Sequence, residues 1–337
     1  MKLNVYAFGS ALVDIQLHVM DNVFPELGIE KGNMYLTERT RQEEIIRHLL
    51  GTSFQLDNPA EDIKTAPGGS AANTVHGICS LGGTAGLCGK VADDPLGAFY
   101  ISRMATCGVE FNSTPGPGVT GSCVVLISDD AQRTMLTCLG TSSEIAYCDA
   151  REDLLSNSNY LYLEGYLFDS PLATETMLRA IDTARKNNVK VALTASDSFC
   201  VQRHKEIMLK LLHGAIDLLF ANAQEAHALS DTETIDDALR VLSGMCKNIA
   251  LTDGAHGSVL QFAENRLEVE PFMISAIDTT GAGDAYAAGL LYGITNGYSL
   301  ADSGRIASFY SSRIVSQLGP RYSGNIVQEL KSLRLNA

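Results

Sequence analysis

Alternation between short apolar runs and longer amphipathic segments constrains the fold of this chain more than any other feature. It predicts strands at 159–163, 189–194, 216–220 and 248–252 and helices at 173–187 and 203–213. The first of these helices places four apolar side chains on one face, namely Met177, Ala180, Ile181 and Ala184. Because strands that alternate with helices pair in parallel, we predict an α/β fold with a mainly parallel sheet.

Composition limits the classes of function. With 337 residues, 45% of them apolar, the chain can form one large α/β domain with an inserted lid. A formal net charge of -14 argues against nucleic acids and anionic membranes as partners. No apolar run reaches the roughly 18 residues of a membrane span. Eight scattered cysteines and the absence of a leader-like start predict a reduced, cytoplasmic protein without structural zinc.

A glycine-rich turn at residues 278–284 leads directly into an apolar helix. Gly281 and Gly283 allow a tight turn at a helix N-terminus, which carries about half a positive charge and favours anions. Asp284 follows in the first helical turn, where it would repel a phosphate unless it served to accept a proton. A base beside an anion site indicates phosphoryl transfer. The alternative is a plain glycine turn in which Asp284 complements the helix dipole.

A second glycine-rich turn, at residues 67–74, also leads into a helix. Gly68 and Gly69 permit close approach of a small polar ligand, and the amide of Asn73 offers both a donor and an acceptor to a diol. Asp14 lies among apolar residues after the first strand, at 3–8. It is interpreted either as an acceptor for a ligand hydroxyl or as a turn carboxylate satisfied by the protein.

Two further turns follow predicted strands, at the sheet edge where open α/β folds bind ligands. Asn222 is interpreted as an N-cap or as part of a magnesium site with Glu225, since Mg²⁺ prefers oxygen ligands and keeps several waters. The turn that contains Thr252, Gly254 and Gly257 is small enough to pass beneath a nucleotide.

Two β-type runs, at 121–128 and 132–139, flank Asp129 and Asp130 and predict a hairpin. Such a hairpin between α/β units is a candidate lid. Arg133 stands just after its turn, where it would be a solvated charge unless the lid folds over a phosphate.

Together, the segments 68–73, 222–225, 252–257 and 278–284 resemble, in order and spacing, the ribokinase-like (PfkB) family of sugar and nucleoside kinases. The resemblance covers nearly the whole chain. It implies a single domain over 1–337, built as three α/β/α layers around a mainly parallel sheet. The hairpin around Asp129 and Asp130 adds the expectation of a small β-rich lid, formed by segments near 15–37 and 110–138.

The same resemblance assigns roles to individual residues. The acceptor would be bound by Asp14, Gly68, Gly69 and Asn73, with Asp284 as catalytic base and backbone groups of Gly281, Ala282 and Gly283 as anion hole. ATP would lie along Asn222, Thr252, Gly254 and Gly257, with Arg133 from the lid. Ions would be Mg²⁺ near Asn222 and Glu225 and a monovalent cation, K⁺, near Asp278 and Thr280. The partners would be small molecules, and the candidate assembly is a homodimer.

Within the family, segments 8–15, 66–74 and 316–321 look most like bacterial proteins assigned as adenosine kinases. A nucleoside such as adenosine is therefore the first expectation, with Tyr166, Met34 and Leu36 placed to sandwich a base. Glu164 resembles an acid that ribokinases place against a free sugar, which keeps ribose, fructose or 2-keto-3-deoxygluconate as alternative acceptors. A non-catalytic sugar-binding protein is the third reading.

Overall fold

The computed structural model describes residues 2–51, 64–130, 132–333 and 335. The strands are β1 (Leu3–Phe8), β2 (Leu12–His18), β3 (Met34–Leu36), β4 (Lys64–Gly68), β5 (Ala85–Cys88), β6 (Glu110–Phe111), β7 (Gly121–Ile127), β8 (Arg133–Cys138), β9 (Ser158–Glu164), β10 (Lys190–Thr194), β11 (Leu218–Asn222), β12 (Asn248–Thr252), β13 (Ser258–Phe262) and β14 (Asn265–Val269).

The helices are α1 (Val23–Leu27), α2 (Arg39–Leu50), α3 (Ser70–Ser80), α4 (Pro95–Thr106), α5 (Glu152–Ser156), α6 (Pro171–Lys186), α7 (Ser198–Leu212), α8 (Ala223–Ser230), α9 (Ile235–Ser243), α10 (Ala282–Thr295), α11 (Leu300–Val315) and α12 (Ile326–Leu330). The predicted strands and helices of residues 159–252 are confirmed, with small shifts at their ends. Within the part of the chain just described, no helix is both long and apolar enough to cross a bilayer.

The large sheet has the order β14-β13-β12-β11-β10-β9-β1-β5-β6. Its pairs from β6 to β12 are parallel, and only β13 and β14 add an antiparallel edge among the described strands. Strand β1 shows why the sheet is covered on both faces. Val5 and Ala7 join the core that contains α3, α10 and α11, whereas Tyr6 and Phe8 join the core that contains α6 to α9. This confirms the predicted three-layer fold.

A second sheet, called the small sheet below, has the order β3-β8-β7-β2-β4. It contains the predicted hairpin, since β7 and β8 pair antiparallel around residues 128–132. Two details differ from the expected lid segments. Strand β4 joins the small sheet through β2, and β6 belongs instead to the large sheet beside β5. Both are short strands whose partners are far away in sequence, so local alternation does not reveal them.

Close packing of α3 against α10 brings the two glycine-rich turns together. A Cβ at Gly77 of α3 would lie 2.7 Å from the Cβ of Ala288 in α10, so the missing side chain lets the helices approach. The N-terminus of each helix follows one of the turns, at Ser70 and Ala282. The side chains of Asn73 and Asp284 consequently meet.

Candidate active site

One cleft of about 770 Å³ lies at the carboxyl edge of the large sheet and is bordered by the small sheet. Most of the residues predicted from sequence line it, namely Asp14, Gly69, Asn73, Arg133, Glu164, Tyr166, Asn222, Glu225, Thr252, Gly254, Gly257, Thr280, Gly281, Ala282, Gly283 and Asp284. Gly68 and Asp278 do not line the cleft, but they contact the lining residues Asp14 and Thr280, respectively. Seven separate segments of the chain therefore form one site.

Asp284 lies in the first turn of α10 between two side chains of α3. Ser70 Oγ donates a hydrogen bond of 2.6 Å to Oδ1, and Asn73 Nδ2 donates one of 3.1 Å to Oδ2. Burial raises the pKa of Asp284 to about 6, although these two donors and the nearby arginines oppose the rise. The carboxylate is thus fixed in orientation, ionised at neutral pH and more basic than an exposed aspartate.

The turn before Asp284 forms the N-terminus of α10. Gly281 has a φ of 74° and contacts Pro320, because a Cβ there would lie 2.6 Å from the proline Cβ. Gly283 is exposed, and a Cβ there would meet no atom within 4 Å. The N–H of Ala282 donates to Thr279 O at 3.2 Å, so this expected anion-hole donor is already engaged within the turn. Gly283 borders the open space where an anion could approach the helix.

Asp14 and the second glycine turn form the other wall. Asp14 lies on β2 opposite β4, and a Cβ at Gly68 would lie 2.1 Å from its Oδ1. At Gly69, φ is 96° and a Cβ would lie 2.0 Å from Ser10 O, so both positions require glycine. Burial raises the pKa of Asp14 to about 7, against the opposing charges of Arg321 and Arg133. The carboxylate borders the cleft.

Glu164 differs from its expected role against a sugar. Its side chain is 0% exposed, and its two oxygens accept hydrogen bonds from the backbone N–H groups of Ser10 (2.7 Å) and Ala71 (2.8 Å). Burial raises its pKa to about 7. Because both oxygens are engaged by the backbone, we reinterpret Glu164 as the residue that ties the loop before Asp14 to the start of α3.

Apolar side chains line another part of the same cleft. Tyr166 forms one side, following β9, and its hydroxyl donates to Ser196 O at 3.4 Å. The facing surface of the small sheet contributes Leu12, Met34, Leu36, Met135 and Leu139. We call these five side chains the apolar wall. Met34 and Leu36 were expected there from sequence, whereas Met135 and Leu139 were not, because alternation along residues 133–139 does not show which face borders the cleft.

Asn222 and Glu225 form a reciprocal cap at the start of α8. Glu225 N donates to Asn222 Oδ1 at 2.9 Å, and Glu225 oxygens accept from Asn222 N at 3.0 Å and from Asn222 Nδ2 at 2.6 Å. Glu225 is buried, which raises its pKa to about 7. The N-cap interpretation of Asn222 is therefore confirmed. Asp14, Glu164, Glu225 and Asp284 are called the four raised-pKa carboxyl groups below.

The turn after β12 forms the far end of the cleft. Gly254 and Gly257 have φ values of 54° and 92°, and a Cβ at Gly257 would lie 2.3 Å from Val269 O. Thr252 ends the strand just before this turn. Glycine is required at Gly257 because its φ is positive and its backbone passes close to Val269 O.

Asp278 is almost fully buried, at 1% exposure, behind the glycine turn of α10. Its carboxylate accepts from Thr280 N (2.8 Å), from the Thr280 hydroxyl and from Gly319 N (2.7 Å). Arg133 Nε lies 3.7 Å from Asp278 Oδ1. The side chain of Arg133 therefore lines the cleft beside a buried carboxylate.

Arg321 is a site neighbour that sequence reasoning did not assign. Its Nε donates to Asn73 Oδ1 at 3.4 Å. The sequence of segment 316–321 indicated a family resemblance but no role for Arg321. The 248 residues between the two partners explain why no local pattern could pair them.

An ionised aspartate in the first turn of a helix, beside open space at the N-terminus of that helix, suits phosphoryl transfer. The protein is an ATP-dependent kinase with a ribokinase-like fold. Residues 43–326 match the family described as pfkB family carbohydrate kinase, and the chain belongs to that family.

Individual relatives include nucleoside and sugar kinases. A probable sugar kinase from Rhizobium etli CFN 42 is 33% identical, with a TM-score of 0.92 and 99% of each chain covered. The adenosine kinase from Sinorhizobium meliloti is 36% identical, with a TM-score of 0.91 over 99% of this chain and 100% of that chain. The adenosine kinase of Saccharomyces cerevisiae is 23% identical over 96% of this chain and 97% of its own length.

Proposed function

We propose that the protein transfers the γ-phosphoryl group of ATP to the primary hydroxyl of a ribonucleoside, with adenosine as the first candidate. The observation that carries this proposal is the position of Asp284. It is held between Ser70 and Asn73 at the point where the acceptor compartment meets the N-terminus of α10. A hydroxyl bound there would have a base on one side and the anion-binding turn on the other.

In this mechanism the acceptor hydroxyl donates its proton to Asp284 as its oxygen attacks the γ-phosphorus. The bond between that phosphorus and the bridging oxygen of ADP breaks, and ADP leaves with the electron pair. The N-terminus of α10 stabilises the charge on the transferred group. Asp14 and Asn73 hold the other hydroxyls, so the attacking oxygen is presented in one orientation.

The apolar wall supports a nucleoside rather than a free sugar. A bare ribose carries hydroxyl groups on all sides and would leave Met34, Met135 and Tyr166 without a partner of matching polarity. A purine base is flat and apolar on both faces, and it fits between such side chains. A free-sugar kinase is the second candidate, supported by the sugar kinase among the relatives. Glu164 adds no support to the free-sugar candidate, because both of its carboxylate oxygens accept hydrogen bonds from the backbone.

Magnesium fits the site as an ion that arrives with the nucleotide. Both oxygens of Glu225 are engaged by Asn222, so Glu225 would hold Mg²⁺ through water, with the phosphates as main ligands. The ion supplies charge neutralisation of the phosphates. A monovalent cation would be held near Asp278 and Thr280, where a buried carboxylate lies behind the anion-binding turn.

The small sheet is proposed as the lid. It borders the cleft through the apolar wall and through Arg133, which reaches Asp278 from β8. Closing it over a bound acceptor would exclude water, which otherwise competes for the γ-phosphate. Arg133 would then exchange part of its interaction with Asp278 for a phosphate oxygen.

The test is ATP consumption with adenosine, inosine, cytidine, ribose, fructose and 2-keto-3-deoxygluconate, in Mg²⁺ buffer with and without K⁺. We expect the highest kcat/KM for adenosine. Turnover of a free sugar without turnover of any nucleoside would contradict the nucleoside assignment and support the second candidate.

A substitution in the apolar wall tests whether these side chains bind the base of the nucleoside. Met135→Ala should raise KM for the nucleoside about five- to thirtyfold, because it removes apolar contact worth about 1–2 kcal/mol. Leu178→Ala, at an exposed leucine on α6, is the matched control and should leave KM unchanged.

A further inference from the structure

The loop at residues 316–322, called the C-terminal loop below, touches both glycine-rich turns. Gly319 N donates to Asp278 Oδ2 at 2.7 Å, and Pro320 packs against Gly281. The next residue, Arg321, extends to the opposite turn and reaches Asn73. One short segment therefore contacts the anion-binding turn and the acceptor wall.

Arg321 is partly buried without a carboxylate partner. Its Nε donates to Asn73 Oδ1 at 3.4 Å, and Nη2 lies 3.5 Å from Met104 Sδ. Among the residues that the structure describes, no carboxylate oxygen lies within 4.0 Å of its guanidinium. Burial lowers its pKa, yet a guanidinium stays protonated in proteins. Burying a charge without an ion-pair partner costs free energy. Electrostatic interactions of Arg321 with groups farther away must therefore offset this cost.

Those interactions lead to the proposed base. Arg321 donates to the oxygen of the Asn73 amide, and the nitrogen of the same amide donates to Asp284 Oδ2 at 3.1 Å. An asparagine amide can rotate by half a turn and exchange its two ends. A cationic donor on the oxygen side favours the orientation in which the nitrogen faces Asp284.

The electrostatic surroundings of both groups are defined by several elements. Asp284 interacts with Arg133, Arg321, Asp14, Glu164, Glu225 and Tyr162. Arg321 is faced by Tyr100, Cys107, Tyr310, Asp14 and His76. His76 is neutral at physiological pH, because burial and the nearby Arg321 lower its pKa to about 3. Burial raises the pKa of the three tyrosines, so they are neutral as well. The arginines thus offset a group of carboxylates.

We propose that Arg321 is a positioning residue for phosphoryl transfer: it fixes the Asn73 amide toward Asp284 and supplies positive charge that favours the ionised form of Asp284. This inference rests on the proposed function, since it assigns Asp284 as the base. It adds the C-terminal loop to the acceptor site, where the charge of Arg321 acts together with that of Arg133 on Asp284.

Two substitutions separate the charge from the hydrogen bond. Arg321→Gln removes the charge. Arg321→Lys keeps the charge but loses the guanidinium fork that reaches Asn73. Arg313→Gln is the control, because Arg313 is a partly buried arginine of the preceding helix whose partner is Glu329. Thermal unfolding establishes that each variant folds.

The first readout is the pH profile of kcat. In Arg321→Gln the acid limb should move to higher pH by about one unit, as expected for loss of a nearby opposite charge. In Arg321→Lys the acid limb should stay near its wild-type position while KM for the acceptor rises. Arg313→Gln should change neither. An acid limb in Arg321→Gln that coincides with wild type would overturn the inference.

The second readout does not depend on activity. Protein labelled with ¹³C at the aspartate carboxyl carbons is titrated by NMR without ligands, and the Asp284 signal is assigned by its absence in Asp284→Asn. Its midpoint should be higher in Arg321→Gln than in wild type and Arg313→Gln. An unchanged midpoint in Arg321→Gln refutes the inference, whether or not an acceptor is found. If the midpoint is raised but the wild-type protein turns over no acceptor, the absence of turnover refutes only the proposed function. If Arg321→Gln does not fold, an unchanged acceptor KM in Arg321→Lys overturns the positioning of Asn73.

Discussion

Replacing Asp284 by Asn removes the proposed base while preserving its shape. The new amide can still accept from Ser70 through its oxygen, but its nitrogen would then face the donor nitrogen of Asn73. One of two hydrogen bonds is thus lost in a site that remains folded. The larger effect is chemical, because an amide cannot take a proton from the attacking hydroxyl.

The expected loss follows from the usual share of general base catalysis. We expect kcat to fall by about 10²–10⁴-fold, which corresponds to roughly 3–5 kcal/mol in the barrier. Acceptor KM should change much less, since Asp14 and Asn73 remain. Wild-type kcat/KM should also decline as the pH falls below about 6, where Asp284 takes up a proton. The variant should lack this decline.

Asp302 provides a matched control for the alternative reading, in which Asp284 only complements a helix dipole. Asp302 is a buried aspartate in the first turn of α11 and accepts from Ser299 Oγ at 2.9 Å. If Asp284 had only this function, both Asn variants would lose about 0.3–1 kcal/mol of stability and keep their activity. Steady-state kinetics with saturating ATP and thermal unfolding distinguish the cases. A folded Asp284→Asn enzyme with near wild-type kcat would refute the base assignment.

Three other outcomes are expected. Gly283→Ala should fold with wild-type stability, because the added Cβ meets open space. It should nevertheless lower kcat and weaken ATP binding, because the methyl group occupies space where a phosphate would approach. Gly281→Ala should lower stability, because its Cβ would clash with Pro320. Wild-type kinetics in Gly283→Ala would contradict that site. Arg133→Ala should raise KM for ATP or lower kcat, and unchanged values for both would remove Arg133 from phosphate binding. The four raised-pKa carboxyl groups hold protons that the unfolded chain releases between about pH 4 and 7, so the ligand-free protein should lose stability as pH rises through that window. Calorimetry should show a flatter dependence in Asp14→Asn, and equal slopes would argue against this cause.

The sequence alone determined the elements whose signals are local. Helix and strand periodicity predicted the parallel sheet from β9 to β12, because each element there is long enough to repeat its pattern. The glycine turns before α3 and α10 were visible for the same reason, since the conformation of a turn depends on residues within it. The reciprocal cap of Asn222 and Glu225 also lies within four residues and was anticipated as an N-cap.

The tertiary structure decided which of these local pieces touch one another. The two-residue strand β6 and the three-residue strand β3 are too short to show alternation, so their sheets follow only from their partners. Glu164 was expected to face a sugar, but its carboxylate meets the backbone at Ser10, 154 residues away. Arg321 reaches Asn73 over 248 residues. Contacts at such separations depend on how the helices and the small sheet pack, and burial then sets the pKa values that the chemistry requires.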